Sequence, residues 1–210
     1  NVNVTLLFSL SRYVEVADAF VSGLEDRLEA GKSIEGIASV ASFFLSRIDT
    51  LVDEKLDLLG AEEAVALRGE AAIASANLAY THYCQLVGSA RWKRLAEAGA
   101  APQRLLWAST SAKDPAYDAL KYVEPLIGPD TVTTLPRETL QAYREHGDPK
   151  SRLSPGAEKA KRTVALLGEA GIDLEAVAEQ LEAEGIDKFL TPFEALFAAL
   201  EQRIAEFRQS

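Results

Sequence analysis

Four short segments of the chain carry the alternating apolar and polar positions, or the runs of β-branched and aromatic residues, that are typical of strands. They are "VNVTLLF" from Val2, "ASVASFF" from Ala38, "RLLWAST" from Arg104 and "TVTTL" from Thr131. A helical pattern follows each segment, and no hairpin turn signal separates them. This order predicts a parallel sheet built from βα units.

Apolar residues at helical spacing predict the helices that connect these strands. In the first helix Tyr13, Val16, Phe20 and Leu24 follow this spacing, and Gly31 is a C-terminal signal. Further helical patterns cover residues 48 to about 87, 114 to 128, and 136 to 147.

The residues after 147 form a second block. "DPKSRLSPG" predicts a loop, and three helical stretches then cover about 155–171, 173–184 and 191 to the end. Leu190, Phe193, Leu196, Phe197 and Leu200 form an apolar stripe that we expect to dock on the rest of the protein. We therefore predict one domain. Residues 1–147 form its strands and connecting helices, and residues 148–210 form a C-terminal helical extension packed on it.

One face of the first predicted strand is polar. Alternation places Asn1, Asn3 and Thr5 on one face of "NVNVTLLF" and Val2, Val4 and Leu6 on the other. A parallel strand covered by helices on both faces should be apolar throughout. A barrel explains the polar face, because interior side chains near the carboxyl ends of barrel strands reach an active site.

Hydroxyl and cationic residues also follow three of the strands. They are Thr5 with Ser9 at the end of the first strand, Ser42 with Arg47 at the end of the second, and Ser109 with Lys113 at the end of the third. The cations favour an anionic ligand such as a sugar phosphate. The alternative is that each hydroxyl satisfies turn backbone and each cation is a surface charge.

Composition excludes several classes of protein. The net charge of −10 argues against a nucleic-acid surface, and "RWKR" at 91–94 is explained by cations near a helix C-terminus. No apolar run approaches the length of a membrane span. The single Cys84 cannot form an internal disulfide and fits a reducing, cytoplasmic setting. Common nucleotide, zinc and hydrolase motifs are absent from the sequence.

Several motifs together resemble the second half of transaldolase. They are "NVNVTLLFS", "SVASFFLSRID", "QRLLWASTSAKDPAY", "GPDTVTTLPRETLQAYREHG" and the tail "GIDLEAVAEQLEAEGIDKF", in that order. The resemblance covers nearly the whole chain. It implies an α/β fold, the (β/α)8 TIM barrel of the class I aldolase type, of which this chain supplies about the last four βα units.

The resemblance also implies a function. Transaldolases move a dihydroxyacetone unit between sugar phosphates in the pentose phosphate pathway, converting sedoheptulose 7-phosphate and glyceraldehyde 3-phosphate to erythrose 4-phosphate and fructose 6-phosphate. A lysine forms a Schiff base with the donor, so no metal or organic cofactor is needed. The alternatives are a non-catalytic phosphosugar-binding fragment or another Schiff-base aldolase of the same fold.

Site residues follow from the same resemblance, motif by motif. Thr5 matches a threonine that helps hold the catalytic water, and Asn3 matches an asparagine that contacts the dihydroxyacetone unit. Ser42 matches a serine that contacts substrate, and Phe44 an aromatic residue that lines the pocket.

The phosphate end of the site follows in the same way. Arg47 matches a phosphate-binding arginine, and Ser109 a serine of the phosphate site. Many members of the family carry a second arginine where this chain has Ser111. Lys113 is the candidate to replace it.

The Schiff-base lysine of the family falls upstream of Asn1. Lys55, Lys93, Lys121 and Lys188 lie in helical or loop contexts, so none is assigned that role. Four strands cannot close a barrel of eight and would leave two unpaired edges. We therefore expect this chain alone to be inactive, with the N-terminal half of the barrel or another chain needed to complete it.

Overall fold

The computed structural model describes residues 1–209, including all side chains of that range except those of Ala205, Arg208 and Gln209. Its strands are β1 (Val2–Leu7), β2 (Ser39–Phe44), β3 (Arg104–Ala108) and β4 (Thr131–Thr133). Its helices are α1 (Leu10–Glu29), α2 (Ser46–Leu59), α3 (Glu62–Val65), α4 (Ala71–Gly88), α5 (Ala90–Glu97), α6 (Arg137–His146), α7 (Glu158–Glu169) and α8 (Leu174–Gln209).

The four strands form one parallel sheet in the order β1-β2-β3-β4. Val4 pairs with Ala41, Ala41 with Leu105, and Leu105 with Thr131. Each strand pairs with the next along the chain, as consecutive strands of a (β/α)8 barrel do. The predicted α/β fold, with about four βα units, is confirmed.

The two faces of the sheet differ in burial. Ala41, Phe43, Leu105 and Trp107 are fully buried under the helices. Phe43 and Trp107 meet edge to face at 6.2 Å, and the Trp107 indole N–H donates to the Leu126 carbonyl at 3.1 Å. This face is the main core of the chain.

The opposite face is polar and partly open. Asn3 and Thr5 of β1 are exposed, and Phe44 and Leu106 of the next strands are half-buried. The polar alternation of the first strand therefore lies on the face that the helices leave uncovered.

Local sequence explains where α1 and α2 begin and end. The Ser9 side chain accepts from the Arg12 N–H at 3.2 Å and caps α1, whose stripe of Tyr13, Ala17, Val21 and Leu24 is buried. Helix α2 ends at Gly60, which adopts a left-handed conformation at φ 67°.

The long helical stretch predicted from 48 to 87 is wrong as a single helix. It is divided into α2, the one-turn α3 and α4. The left-handed Gly60 ends α2, and Gly69, at φ 71°, interrupts the chain before α4. Apolar spacing continued through the interruption because all three segments contact the same core.

The helix predicted over 114–128 is also wrong. The segment consists of turns with one 3₁₀ helix, Glu124–Leu126. The Asp114 and Asp118 side chains accept from the N–H groups of Ala116 and Leu120, at 2.8 and 2.7 Å. These local bonds compete with helical ones.

"RWKR" lies at the start of a helix, which corrects the prediction of a helix C-terminus. Ser89 accepts from the Trp92 N–H at 3.1 Å and caps α5. The Arg91 guanidinium donates to Glu25 at 2.9 and 2.6 Å and also pairs with Asp18. The arginine joins α5 to α1, a structural role.

The tail differs from its prediction in two ways. The helices predicted over 173–184 and from 191 are one 36-residue helix, α8, which continues through Pro192. Its first part packs on the chain, with Val177 and Leu181 buried. The predicted stripe does not dock on this chain, since its side chains are half or more exposed: Leu190, Phe193, Leu196, Phe197 and Leu200.

Candidate functional site

The carboxyl ends of the parallel strands meet at one edge of the sheet, where Phe44, Arg47 and Ser109 lie, whereas Asn3 lies near the start of β1. Strand β1 is irregular there: two residues, Thr5 and Leu6, lie between the pairs Val4–Ala41 and Leu7–Phe43, where β2 has only Ser42. Leu6 has φ 63°. This is a β-bulge, a feature that redirects side chains and is frequent next to active sites.

Asn3 and Ser42 are brought together on the open face. The buried Ser42 hydroxyl donates to the Asn3 side-chain carbonyl oxygen at 2.7 Å. Thr5 lies in the bulge opposite Ser42 and is exposed. Three of the predicted residues therefore lie side by side across β1 and β2.

Phe44 and Arg47 form the next part of the site. The Arg47 guanidinium carbon lies 5.4 Å from the centre of the Phe44 ring, within the range of a cation–π contact. On its other side Phe44 contacts Phe8, with ring centres 5.3 Å apart. The ring is held between the end of β1 and the first turn of α2.

Ser109 lies beside the start of α2. Its hydroxyl is 2.8 Å from that of Ser46, and the Ser46 N–H donates to the Ser109 carbonyl at 3.0 Å. Ser109 has φ 54°, a strained conformation for serine that clusters at functional sites. Arg47, the residue after Ser46, is thereby brought to the end of β3.

Sequence reasoning missed Ser46 and Phe8. Both are almost completely buried, and both touch a predicted site residue. The signal for Ser46 was available, because a serine directly after a strand and before a helical pattern is a common helix start. No local signal distinguished Phe8 from other apolar residues of the core.

Lys113 lies apart from the Asn3–Ser42 pair. Its ammonium donates to the Ser111 hydroxyl at 2.7 Å. It lines a cavity of about 330 Å³ together with Thr50, Asp53 and Tyr117. Thr50 is one turn along α2 from Arg47, so the two cations border the same helix. The role predicted for Lys113 stays a prediction.

Two buried aspartates of α2 hold the loop that carries Lys113. Asp49 accepts from the Ala72 N–H at 2.7 Å and the Tyr122 hydroxyl at 2.8 Å. Asp53 accepts from the Gly69 N–H at 2.8 Å and the Tyr117 hydroxyl at 2.6 Å. Sequence reasoning missed this network, whose partners are distant along the chain.

Burial dominates the electrostatics of Asp49. Desolvation raises its pKa to about 6, although the Ala72 N–H and Tyr122 hydroxyl stabilise the charged form. The same burial, with the Asp49 charge, raises the pKa of Tyr122. Tyr122 therefore remains the donor of the pair at neutral pH.

No set of three or more His, Cys, Asp or Glu side chains in the described part is grouped to hold a metal ion. Within that range no helix is both long enough and apolar enough to cross a membrane.

Comparison with known proteins gives a consistent result. A family model described as Transaldolase/Fructose-6-phosphate aldolase matches residues 1–200. The transaldolase of Frankia alni is 47% identical over 97% of this chain and 55% of its own length. The transaldolase of Thermobifida fusca is 48% identical over 98% and 56%, respectively, and transaldolase 1 of Streptomyces coelicolor is 47% identical over 97% and 54%.

The alignments cover a larger share of this chain than of its relatives. Nearly all of this chain is aligned, whereas it spans about half the length of the curated relatives it matches. The similarity therefore describes one part of such a protein.

The Asp49 carboxyl should make stability depend on pH. Its pKa is higher in the folded state, so folding favours the protonated form, and this contribution is present below about pH 4 and lost as pH rises through about 6. We expect the free energy of unfolding of the wild type to fall on the order of 2–3 kcal/mol as pH rises over this range. Asp49→Asn, which preserves the shape of the side chain, should not show this fall. Urea unfolding of the whole protein between pH 4 and 7.5 measures it.

Asp26→Asn, at an exposed position of α1, is the control for that experiment. Its unfolding free energy should follow the wild type at every pH. If the unfolding free energies of the wild type and of Asp49→Asn change with pH in parallel, Asp49 is not the source of the pH dependence.

Proposed function

Since the chain belongs to the transaldolase/fructose-6-phosphate aldolase family, we propose that the whole protein is a transaldolase, which transfers a dihydroxyacetone unit between sugar phosphates. The observation that carries the proposal is the Asn3–Ser42 pair on the open face of the sheet, with Arg47 and Ser109 at the carboxyl ends of β2 and β3. Substrates, pathway and Schiff base are all part of the proposal.

The start of α2 suits a phosphate group. Arg47 lies in the first turn of α2, where the helix dipole attracts anions. The Ser109 hydroxyl lies at the same helix start through its contact with Ser46. Arg47 supplies the charge, and its stacking on Phe44 limits where the guanidinium can lie.

The other end of the site suits the reacting part of the sugar. Asn3 presents an amide to the open face, with its oxygen held by Ser42. This leaves the amide N–H groups of Asn3 to bind a substrate hydroxyl. Thr5, exposed on the same face, would hold a water that carries protons during bond cleavage.

The proposed reaction begins at an amine of the protein. A lysine nitrogen attacks the donor ketone and water leaves, which forms an iminium ion. The bond between the third and fourth carbons breaks as the proton of the fourth carbon's hydroxyl goes through the water to a carboxylate. The electron pair of the broken carbon–carbon bond enters the iminium, which becomes an enamine, and an aldehyde leaves. The enamine then attacks the acceptor aldehyde, and the steps reverse.

We assign that lysine to a part of the protein outside this chain. The nine lysines of the sequence are all within the described range, where none lies on a strand. Lys113, in the loop after β3, is exposed and bonded to Ser111. No lysine of the chain is therefore placed in the buried strand setting that favours a reactive amine.

The remainder of the protein would also cover the apolar side of α8. Phe189, Phe193 and Phe197 are each at least 50% exposed in this chain. Contiguous apolar surface of this kind marks an interaction site. The edge strands β1 and β4 each have one unpaired side. We propose that the rest of the barrel pairs with these edges and packs on the stripe.

Arg47→Ala should weaken the binding of phosphorylated substrates. A lost charge-assisted hydrogen bond costs about 1.5–3 kcal/mol, so kcat/KM for fructose 6-phosphate should fall roughly 10- to 100-fold. Steady-state kinetics of the whole protein measures this. Fructose, which has no phosphate, should react equally with both forms, and Arg94→Ala on α5 is the control. An equal loss for fructose would contradict the phosphate role.

Reduction with borohydride in the presence of fructose 6-phosphate should trap a covalent adduct on the whole protein. Peptide mapping by mass spectrometry should place the adduct outside residues 1–210, and the isolated chain should trap nothing. An adduct on one of the nine lysines of this chain would contradict the assignment. The absence of any adduct would favour a non-catalytic phosphosugar-binding protein.

Phe193→Asp should destabilise the whole protein if the stripe is covered. Placing a charge in an apolar contact should lower the free energy of unfolding by about 2–3 kcal/mol, measured by urea denaturation. Gln202→Asp introduces the same charge on the other side of α8 and should change the free energy of unfolding by less than about 0.5 kcal/mol. Equal effects of the two changes would show that the stripe is uncovered.

A further inference from the structure

We propose that Gly185 of α8 is a positioning residue of the site, because its contact with Leu6 holds the bulge that directs the end of β1. The inference rests on the proposed function, since it concerns how Asn3 and Thr5 are placed for that reaction. Gly185 itself does not belong to the substrate-contacting residues. Its effect would pass through Leu6.

The bulge is the least regular point of the sheet. Leu6 adopts φ 63°, a left-handed conformation that is unfavourable for a bulky side chain. Such strain persists only where the surrounding structure over-determines it. Thr5 is the residue before Leu6, so a change in the backbone of Leu6 moves the neighbouring peptide and the direction of the Thr5 side chain.

Gly185 supplies the surrounding contact. It is buried, and a Cβ at this position would lie 3.0 Å from Leu6 Cδ2 and 3.3 Å from Leu6 Cδ1. Glycine is thus the residue that lets α8 approach the Leu6 side chain closely. Leu6 is only 9% exposed, so its side chain has little room to move away.

Further contacts hold this part of α8 in place. Arg12 of α1 donates to Glu182 at 3.1 Å, and Ser11 donates to Glu175. Val177 and Leu181 are buried on the same segment. Helix α8 is therefore fixed before it reaches Gly185, and it cannot shift freely to relieve a clash with Leu6.

The segment also lies within electrostatic reach of the phosphate end. The pKa of Glu184 is lowered, first by a hydrogen bond from Gln180 and further by the charges of Lys188 and Arg47. Helix α8 thus passes close to both β1 and Arg47. Its crossing point is the turn that contains Gly185.

The test is Gly185→Ala in the whole protein, with Gly23→Ala in the middle of α1 as the matched control. Both changes replace a helical glycine, but a Cβ at Gly23 would meet nothing within 4 Å. We expect kcat for transfer from fructose 6-phosphate to fall roughly three- to tenfold with KM changed less than about twofold, since displacements of a fraction of an ångström suffice. Gly23→Ala should retain the kcat of the wild type.

A second comparison separates positioning from general destabilisation. Leu6→Ala removes the atoms that the new methyl group would meet, so adding Gly185→Ala to Leu6→Ala should cause no further loss of kcat. Thermal unfolding should show Gly185→Ala as stable as Gly23→Ala to within a few degrees. An undiminished loss of kcat in the Leu6→Ala background would overturn the proposal.

Hydrogen exchange keeps the inference testable if the proposed function fails. If the wild type transfers no dihydroxyacetone unit, the function is wrong, but the amides of residues 3–7 should still exchange faster in Gly185→Ala than in Gly23→Ala. If the wild type is active and the two variants agree in both kcat and exchange, the inference is wrong and the function stands.

Discussion

Asp49 and Asp53 lie one turn apart on the buried side of α2, and each accepts one backbone N–H and one tyrosine hydroxyl. The N–H groups are those of Gly69, just before α4, and Ala72, in the first turn of α4, and the tyrosines come from the loop after β3. A buried carboxylate is costly unless its oxygens are satisfied. Because these bonds satisfy them, the two carboxylates hold three segments of the chain together.

The position of the site depends on that anchorage. Arg47 is at the start of α2, and the Ser46 N–H and hydroxyl join this start to Ser109 at the end of β3. The aspartates fix the next two turns of the same helix. The proposed phosphate end of the site is therefore supported by the anchored helix α2 and not by the surface loop alone. Preorganisation of this kind is what a charge-binding site requires.

The helices of this chain cover only one of the two faces of its sheet. One face of the sheet is buried under helices, while the face that bears Asn3 and Thr5 is open, and the apolar side of α8 is exposed. In a closed barrel the open face would be the interior, and the alternation of β1 would be an ordinary barrel pattern. The exposed stripe and the spans of the relatives agree with this view, because about half of each relative has no counterpart here.

Local patterns determined much of the architecture. Alternation and β-branched residues predicted all four strands in their order, and the polar positions of "NVNVT" predicted a strand face that is not covered by helices but turned to a barrel interior. Family resemblance indicated the candidate site residues, and the structure brings Asn3 to Ser42 and Arg47 to Phe44. These features follow from the sequence because a strand's two faces and its carboxyl end are defined by neighbouring residues.

Only the tertiary structure decided the rest. The segment 114–128 has helical spacing but is held as turns by Asp49 and Asp53, which are more than 60 residues away. Ser46 and Phe8 touch site residues, and Gly185 lies against Leu6 of the bulge, in contacts between residues that are distant along the chain and that no local pattern records. The stripe on α8 was recognisable as apolar, and its periodic pattern indicates that this helix face is buried. The pattern does not identify the surface that covers the face. Its partner is set by packing between elements, which the order of residues within one element does not encode.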